Sequence, residues 1–387
     1  MNALGITSRR AAALALLLGA TLGAPSAAAP APPAPVQQQP VALHQDITPE
    51  SVAAVTSALE WLAAQQNADG SWNGEVGFKL NQDYRVTAQR AGHPGVTALA
   101  GMAFLSAGHL PERTPYGEVI AKATRYLTSR VNHQGYITDN GTRMYSHAFA
   151  TLFLAEVYGM TNSRDIATQL QSAVNYIVDC QNEEGSWRYV PFAVESDMSI
   201  TVCQLNALRG ARNVGIRVPR STIERAADYV ARSYVRDDRR DDLYMDYYRL
   251  GRGSFKYQAE RSTRSSFALT AAGLAAMHNA GVYSDAGGID LADSIDFLKR
   301  HYDLVSGSRY RHHYFYWYGH YYATQALYVI GGQAWEWYYP RIRAELIAAQ
   351  DADGSLPCTV GPGREFSTAV GAIILSLPYG YLPIFQR

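Results

Sequence analysis

Six polar side chains stand at one register of this chain: His93, His147, Asp197, Ser266, His320 and Arg364. Each precedes a threonine by four residues, namely Thr97, Thr151, Thr201, Thr270, Thr324 and Thr368. On a helix, residues so spaced share a face. Imidazoles, a carboxylate, a hydroxyl and a guanidinium gathered at one mouth could exchange protons with a substrate, and His147, Asp197 and His320 are the acid–base candidates. His93, Ser266 and Arg364 complete the ring as ligand-binding candidates, because helix N-termini favour anions. The competing reading makes the six residues caps and loop anchors, which suits Asp197 and Ser266 best. His93, His147 and Asp197 could supply three N/O ligands to a metal. Histidines at helix starts usually cap or pack, however, so no cofactor is expected, neither zinc nor magnesium.

A second cluster is aromatic. Between Arg311 and Tyr322 the chain carries Tyr314, Tyr316, Trp317, Tyr318 and Tyr321. Such faces could stabilise a cation, stack on sugar rings or fill the mouth of a barrel. A tyrosine hydroxyl needs a partner, so these residues are read as lining a cavity with some polar or wet edge. The Tyr-rich insertion from Tyr244 to Tyr257, a loop by its Gly251 and Gly253, is expected over the same or the adjacent rim. Just before it, Asp237-Asp238-x-x-Asp241 has a spacing that on a helix could bind Mg²⁺. Its neighbours Arg236, Arg239 and Arg240 make a salt-bridged surface the better reading.

These residues need a scaffold, and a returning motif supplies it. Gln66-x-x-x-Gly70-Ser71-Trp72 comes back as Gln181-x-x-x-Gly185-Ser186-Trp187, each with an aromatic five residues before the Gln (Trp61, Tyr176), and degenerates to Gln350-x-x-x-Gly354-Ser355-Leu356. Repeats take precedence over other fold readings. The motif residues are read as structural. Gly allows a tight helix exit, Gln bonds loop backbone and Trp packs beneath. Before the first copy, Val52, Val55, Leu59 and Leu62 make Ser51–Gln65 an amphipathic outer helix. After a loop, His93 to Ala107 is apolar nearly all round, as a buried inner helix should be. Further outer helices are expected near Gly117, Ser163, Ser221, Leu291 and Trp335, and inner ones near Ser146, Ser196, Ser265, Gly319 and Arg364. Six hairpins bury all these faces by closing into a ring, so the predicted fold is all-α, an (α/α)6 toroid of six outer and six inner helices. The threonine row is read as close packing and back-bonding within the helix, with a cavity-lining hydroxyl as the alternative.

The 387 residues carry 34 basic and 34 acidic side chains, so no charged field points to nucleic acid or to a cationic partner. The 27 tyrosines imply wide aromatic surfaces with polar edges. Cys180, Cys203 and Cys358 are an odd set and no disulfide framework. Arg9-Arg10 ahead of the apolar run Ala11–Leu22, with Ala27-Ala28-Ala29 beyond, reads as an export signal, with Ser8-Arg9-Arg10 suggesting the twin-arginine route. The expected organisation is a signal over 1–29, a Pro/Ala/Gln-rich linker over 30–45, and one toroid over 46–387. The mature chain would be periplasmic or extracellular, without a transmembrane anchor.

The Gln-Gly-Trp repeats, the inner-helix stretch Asp197 to Leu208 and the tail Leu382 to Arg387 resemble the prenyltransferase and squalene-oxidase repeat family. That toroid is shared by squalene–hopene cyclases and protein prenyltransferase β-subunits. The resemblance spans about residues 50 to 387 and implies the toroid more than an activity. The family's cyclases use an Asp-x-Asp-Asp acid, and this chain has no such sequence. Its protein prenyltransferases hold zinc with an Asp, a Cys and a His. His320 matches the His register, but Ser266 and Ala268 stand where the Asp and Cys would be. The resemblance therefore points to an exported toroid whose cavity takes an apolar, isoprenoid-like ligand, or whose rim takes a protein partner. A cyclase- or prenyltransferase-type enzyme with relocated catalytic groups is the alternative. An (α/α)6 polysaccharide lyase or glycosidase is the second.

Overall fold

A computed structural model describes residues 43–80, 83–237, 250–261, 264–281 and 288–386. The export segment, most of the linker, Asp238 to Asp241 of the acidic run and Tyr244 lie outside the described residues. The first described element, α1 (Leu43–Asp46), starts inside the expected linker. It is tied down by Arg343, which donates to the carbonyls of Gln45 (2.9 Å) and Asp46 (2.7 Å), and by Trp335 Nε1 on Asp46 Oδ2 (2.8 Å).

Six outer helices follow: α2 (Pro49–Gln65), α4 (Gly117–Ser129), α6 (Arg164–Asp179), α8 (Arg220–Ser233), α10 (Leu291–Ser306) and α12 (Gly332–Ala349). Between them run six inner helices: α3 (Pro94–Ser106), α5 (Met144–Thr161), α7 (Met198–Asn213), α9 (Phe267–Asn279), α11 (Tyr314–Ile330) and α13 (Arg364–Ser376). The inner helices pack in the order α3, α5, α7, α9, α11, α13 and back onto α3, so the ring is closed. The fold is an (α/α)6 toroid.

Sequence pattern accounts for both layers. Every residue of α3 is buried, and nearly every residue of α9 and α13, as helices without a polar face require. In α6 the buried positions Ile166, Leu170, Ala173, Val174 and Ile177 recur three and four apart, leaving the other face to solvent. The pairing differs in one respect from a simple outer-then-inner series. The outer helices α4, α6, α10 and α12 pack mainly on the inner helix before them, α8 packs equally on α7 and α9, and α13 is covered by α2 from the other end of the chain. The two termini therefore supply one hairpin jointly.

The motif glycines lock successive outer helices together. Gly70, Gly185 and Gly354 have φ of +90°, +84° and +89°, and a Cβ there would stand 2.3–2.4 Å from the carbonyl oxygens of Lys122, Arg225 and Ser57 on the next outer helix. The Gln of each copy donates to its own Gly carbonyl and to that same neighbouring helix, at Val119, Thr222 and Ala54. Trp72 and Trp187 are buried and donate Nε1 to Leu62 and Ile177, ten residues back in each case. Gly135 and Gly253, at φ +94° and +85°, do the same against Ser172 and Asp293 without the full motif.

The threonine row closes the same joints from inside. Thr97, Thr270 and Thr368 accept from the backbone N–H of Trp72, Phe255 and Leu356, while Thr151, Thr201 and Thr324 donate to the carbonyl four residues back. All six are fully buried.

One element departs from the helical expectation. The segment expected as a loop between Trp72 and His93 is an antiparallel hairpin, β1 (Asn73–Leu80) and β2 (Asp83–Gly92), with its register broken around Val76. Gly77 lies so close to β2 that a Cβ would meet the Arg85 carbonyl oxygen at 2.2 Å. All three cysteines are unpaired thiols. Among the described residues no helix is long and apolar enough to cross a membrane.

Candidate ligand cavity

The inner helices enclose a cavity of about 200 Å³ at the end where they begin, and the hairpin lies across it. Its body is apolar: Val96 and Leu99 from α3, Phe149 from α5, Leu269 from α9, Phe366 and Val370 from α13. Helix α11 contributes Tyr314, Trp317, Tyr318 and Tyr321. Those four are spaced i, i+3, i+4 and i+7, one helical face. Tyr316 lies on the opposite face. Its hydroxyl donates to Glu345 Oε2 of α12 (3.3 Å) and its ring meets His320 at 4.4 Å, between the layers. Of the five aromatic candidates, the structure brings four to the cavity and sends Tyr316 outward.

The polar ring divides similarly. His93, Asp197 and Ser266 are N-caps of α3, α7 and α9: His93 Nδ1 accepts from Val96 N, Asp197 Oδ1 from Ser199 N and Ser266 Oγ from Leu269 N. His93 and Ser266 also line the cavity. His147 and His320 do not. Helix α5 begins at Met144 and α11 at Tyr314, so both histidines lie inside their helices and point into the layer between rings. His147 Nδ1 accepts from Ile137 N (3.1 Å), and its Nε2 meets the Ala173 carbonyl of α6 (3.2 Å). His320 meets the Tyr338 hydroxyl (3.0 Å) and the Ser306 hydroxyl (3.4 Å). Burial holds their imidazoles far below the ordinary value, at about 3 for each, and His93 at about 4. Arg364 is the first residue of α13 and turns outward. It pairs with Asp351 and Asp353 and bonds Ser355 Oγ, beside a separate polar cleft that includes Trp61, Glu75 and Glu365. The six register positions thus form no single ring. His93, His147 and Asp197 do not converge, and the described residues hold no group of three His, Cys, Asp or Glu placed to share a metal ion.

Asp197 is fully buried at the start of α7, against the cavity wall. Its Oδ1 also accepts from Ser199 Oγ (2.5 Å), which in turn meets the Tyr145 hydroxyl (2.6 Å). Tyr318 donates to the Ser199 carbonyl (2.9 Å), and the Tyr189 and Tyr257 hydroxyls bond each other. Asp197 Oδ2 has no hydrogen-bond partner and lies 3.8 Å from Arg188 Nη1. Ser199, Tyr145, Tyr189, Tyr257 and Tyr318 all line the cavity, so a hydrogen-bonded chain runs from a buried carboxylate to its surface. Burial and the Asp197 charge push the Tyr145 and Tyr189 phenols well above the usual range, so they are neutral donors at any working pH.

Sequence reasoning missed the residues at the mouth. Lys79 of the hairpin, Arg143 before α5 and Arg264 before α9 line an otherwise apolar space. Lys79 Nζ lies 5.1 Å from the Tyr257 ring centroid and 4.9 Å from that of Phe315, and Arg143 lies 4.3 Å from the Phe78 ring. Burial, reinforced by Arg264 and Arg188 and opposed by Asp197, pushes the Lys79 ammonium down to about 8. The available signal was the alternation of Val76, Phe78 and Leu80 ahead of Asn81, which reads as a strand running into a turn.

No family model and no curated protein sequence matches the chain. Solved structures do, at low identity. The type II terpene cyclase MstE from Scytonema is 14% identical, with a TM-score of 0.56 over 86% of this chain and 99% of that one. An α-1,6-mannanase from Salegentibacter is 10% identical, with a TM-score of 0.58 over 84% and 98%. Cellobiose 2-epimerase from Bacillus thermoamylovorans is 13% identical, with a TM-score of 0.54 over 84% and 98%. These similarities carry the toroid. Those proteins differ in chemistry among themselves, so the likeness shows the fold alone.

Proposed function

We propose that this toroid takes up an apolar, isoprenoid-like small molecule in the cavity beneath the β1–β2 hairpin. The observation that carries the reading is the lining: aliphatic and aromatic side chains from several inner helices, with the hairpin across it and no carboxylate among the described lining residues. Enclosed apolar space with a few placed polar groups is the usual form of a small-molecule site. Sugar hydrolysis would instead need two carboxyl groups roughly 5–10 Å apart across the substrate, and the described lining residues offer none. Export is part of the proposal and rests on the Arg9-Arg10 segment. The test is binding of a fluorescent apolar probe to the wild type and to Leu269→Trp, which fills the cavity from α9. Uptake abolished by the filling substitution, with the melting temperature held, supports the reading. Equal uptake by both proteins contradicts it.

A second reading, catalysis, is favoured by one observation. The Asp197–Ser199–Tyr145 chain could relay a proton to or from a bound molecule, as general acid–base chemistry requires. Of the three acid–base candidates, only Asp197 is connected to the cavity by hydrogen bonds. A turnover assay on an identified occupant, repeated with Tyr145→Phe, would test it. Unchanged conversion would remove Tyr145 from the chemistry.

A further inference from the structure

We infer that the cavity's occupant carries an anionic group, a carboxylate or a phosphate, held between Lys79 and Arg143 at the mouth. The inference rests on the apolar-ligand reading and adds the chemistry of the ligand's polar end.

The argument is one of charge. Lys79, Arg143 and Arg264 line the cavity, and Arg188 lies just behind its wall. Among the described residues the carboxylate acting on Lys79 is Asp197, whose Oδ1 is occupied by Ser199 and whose Oδ2 faces Arg188. Among the described residues neither Lys79 nor Arg143 has an ion-pair partner, and both rest on aromatic faces. Aromatic rings attract a cation but do not neutralise it. Excess positive charge beside a low-dielectric space is costly, and an entering anion relieves it while gaining charge-assisted hydrogen bonds. Burial is the chief cause that lowers the Lys79 ammonium, and Arg264 and Arg188 add to it against the opposing pull of Asp197. Position agrees with the reading. Lys79 comes from the hairpin, and Arg143 is the residue before the N-terminus of α5, where the backbone also favours an anion. An apolar chain could lie against Leu99, Phe149 and Leu269 with its anionic end under the hairpin.

The experiment is calorimetric titration of the full-length protein with three probes of equal chain length: decanol, decanoate and decyl phosphate. Wild type, Lys79→Met, Arg143→Met and Lys79→Arg are compared. Met keeps the apolar stem, and Lys79→Arg keeps the charge while controlling for disturbance of the hairpin. The expected result is that one or both anions bind about tenfold or more tighter than the alcohol, as charge-assisted contacts in a sheltered site allow. Each Met variant should lose that preference while its decanol affinity stays, and Lys79→Arg should retain it. The carboxylate and phosphate arms then identify the headgroup. Equal affinity for alcohol and anions in the wild type overturns the inference and leaves the apolar-ligand reading standing. Anion preference that survives both Met substitutions overturns the assignment to Lys79 and Arg143. No binding of any probe overturns the reading on which the inference rests.

Discussion

The hydroxyl of Ser199 lies 2.5 Å from Oδ1 of Asp197, and the same Oδ1 accepts the Ser199 backbone N–H at 2.8 Å. One fully buried carboxylate therefore caps α7, holds a side chain of the cavity wall and faces Arg188. Asp197→Ala removes all three roles. Loss of an N-cap costs about 0.5–2 kcal/mol, and stranding a partly buried guanidinium adds to it, for a total of roughly 2–4 kcal/mol. Asp197→Asn keeps an accepting oxygen and should cost about 1 kcal/mol, the order of one hydrogen bond. Urea denaturation of the two variants checks this. Equal costs would mean that the whole loss comes from the charge and that the capping oxygen contributes nothing.

Ring closure can be tested at a single glycine. Gly354→Ala forces a Cβ to within 2.4 Å of the Ser57 carbonyl oxygen at φ +89°. Left-handed strain of about 1–2 kcal/mol and overpacking of about 1–3 kcal/mol both apply. Gly141, at φ +81° with nothing within 4 Å of its Cβ position, bears the strain alone. Gly354→Ala should therefore lose roughly 2 kcal/mol more than Gly141→Ala, the difference being the overpacking cost. Similar losses would show that the α12–α2 joint tolerates separation.

The buried histidines set an acid limit. His93, His147 and His320 are held near 4, 3 and 3, so the folded state keeps them neutral where the unfolded chain binds protons. Their contribution is full above about 6.5 and is lost as pH falls toward 4, by up to about 1.4 kcal/mol per pH unit for each histidine. Urea midpoints at pH 7 and pH 5 should fall accordingly, and the imidazole C2–H resonances of these residues should not shift across that range.

Glu156 works in the opposite direction. Burial pushes its carboxyl up to about 7, against a backbone N–H bond from Ile384. A raised carboxylate stabilises the fold at low pH, and that contribution is lost as pH rises from about 4.5 through 7. Glu156→Gln should therefore gain stability relative to wild type between pH 5 and pH 8, by about 1–3 kcal/mol. A constant difference across that range would place the titration elsewhere.

Lys79 gives the cavity its own pH dependence. The groups facing it are Asp197, Arg264 and Arg188, with the Tyr257 and Phe315 rings. Burial brings its ammonium down to about 8. Affinity for decanoate should be highest below that value and fall as pH rises through it. Decanol affinity should not change, and Lys79→Arg should remove the dependence.

The toroid was legible because its joints are chemical. The Gln-Gly-Trp copies mark where one outer helix locks to the next, and the threonine row marks where the loop is pinned from inside. The covering of α13 by α2 was not legible, because Gln350 and Gly354 do not name the helix they bond. The polar ring failed at His147 and His320 because a shared register relative to a threonine does not fix where a helix begins. Helix α11 starts at Tyr314, five residues before the expected Gly319, with His313 Nδ1 accepting from Phe315 N as its cap. On that helix Tyr314, Trp317, Tyr318 and Tyr321 share the inward face, and His320 shares the outward one with Tyr316. The hairpin carrying Lys79 is not legible in the sequence, since glycines at positions 74 and 77 interrupt the strand pattern where the register slips.

The central claim is that the space under the hairpin is a ligand site. Native mass spectrometry of the protein purified from its own host tests it most directly. The account predicts a retained mass of a few hundred daltons, released on unfolding and missing from Leu269→Trp. An unliganded mass for the wild type, unchanged after incubation with decanoate and decyl phosphate, would contradict it.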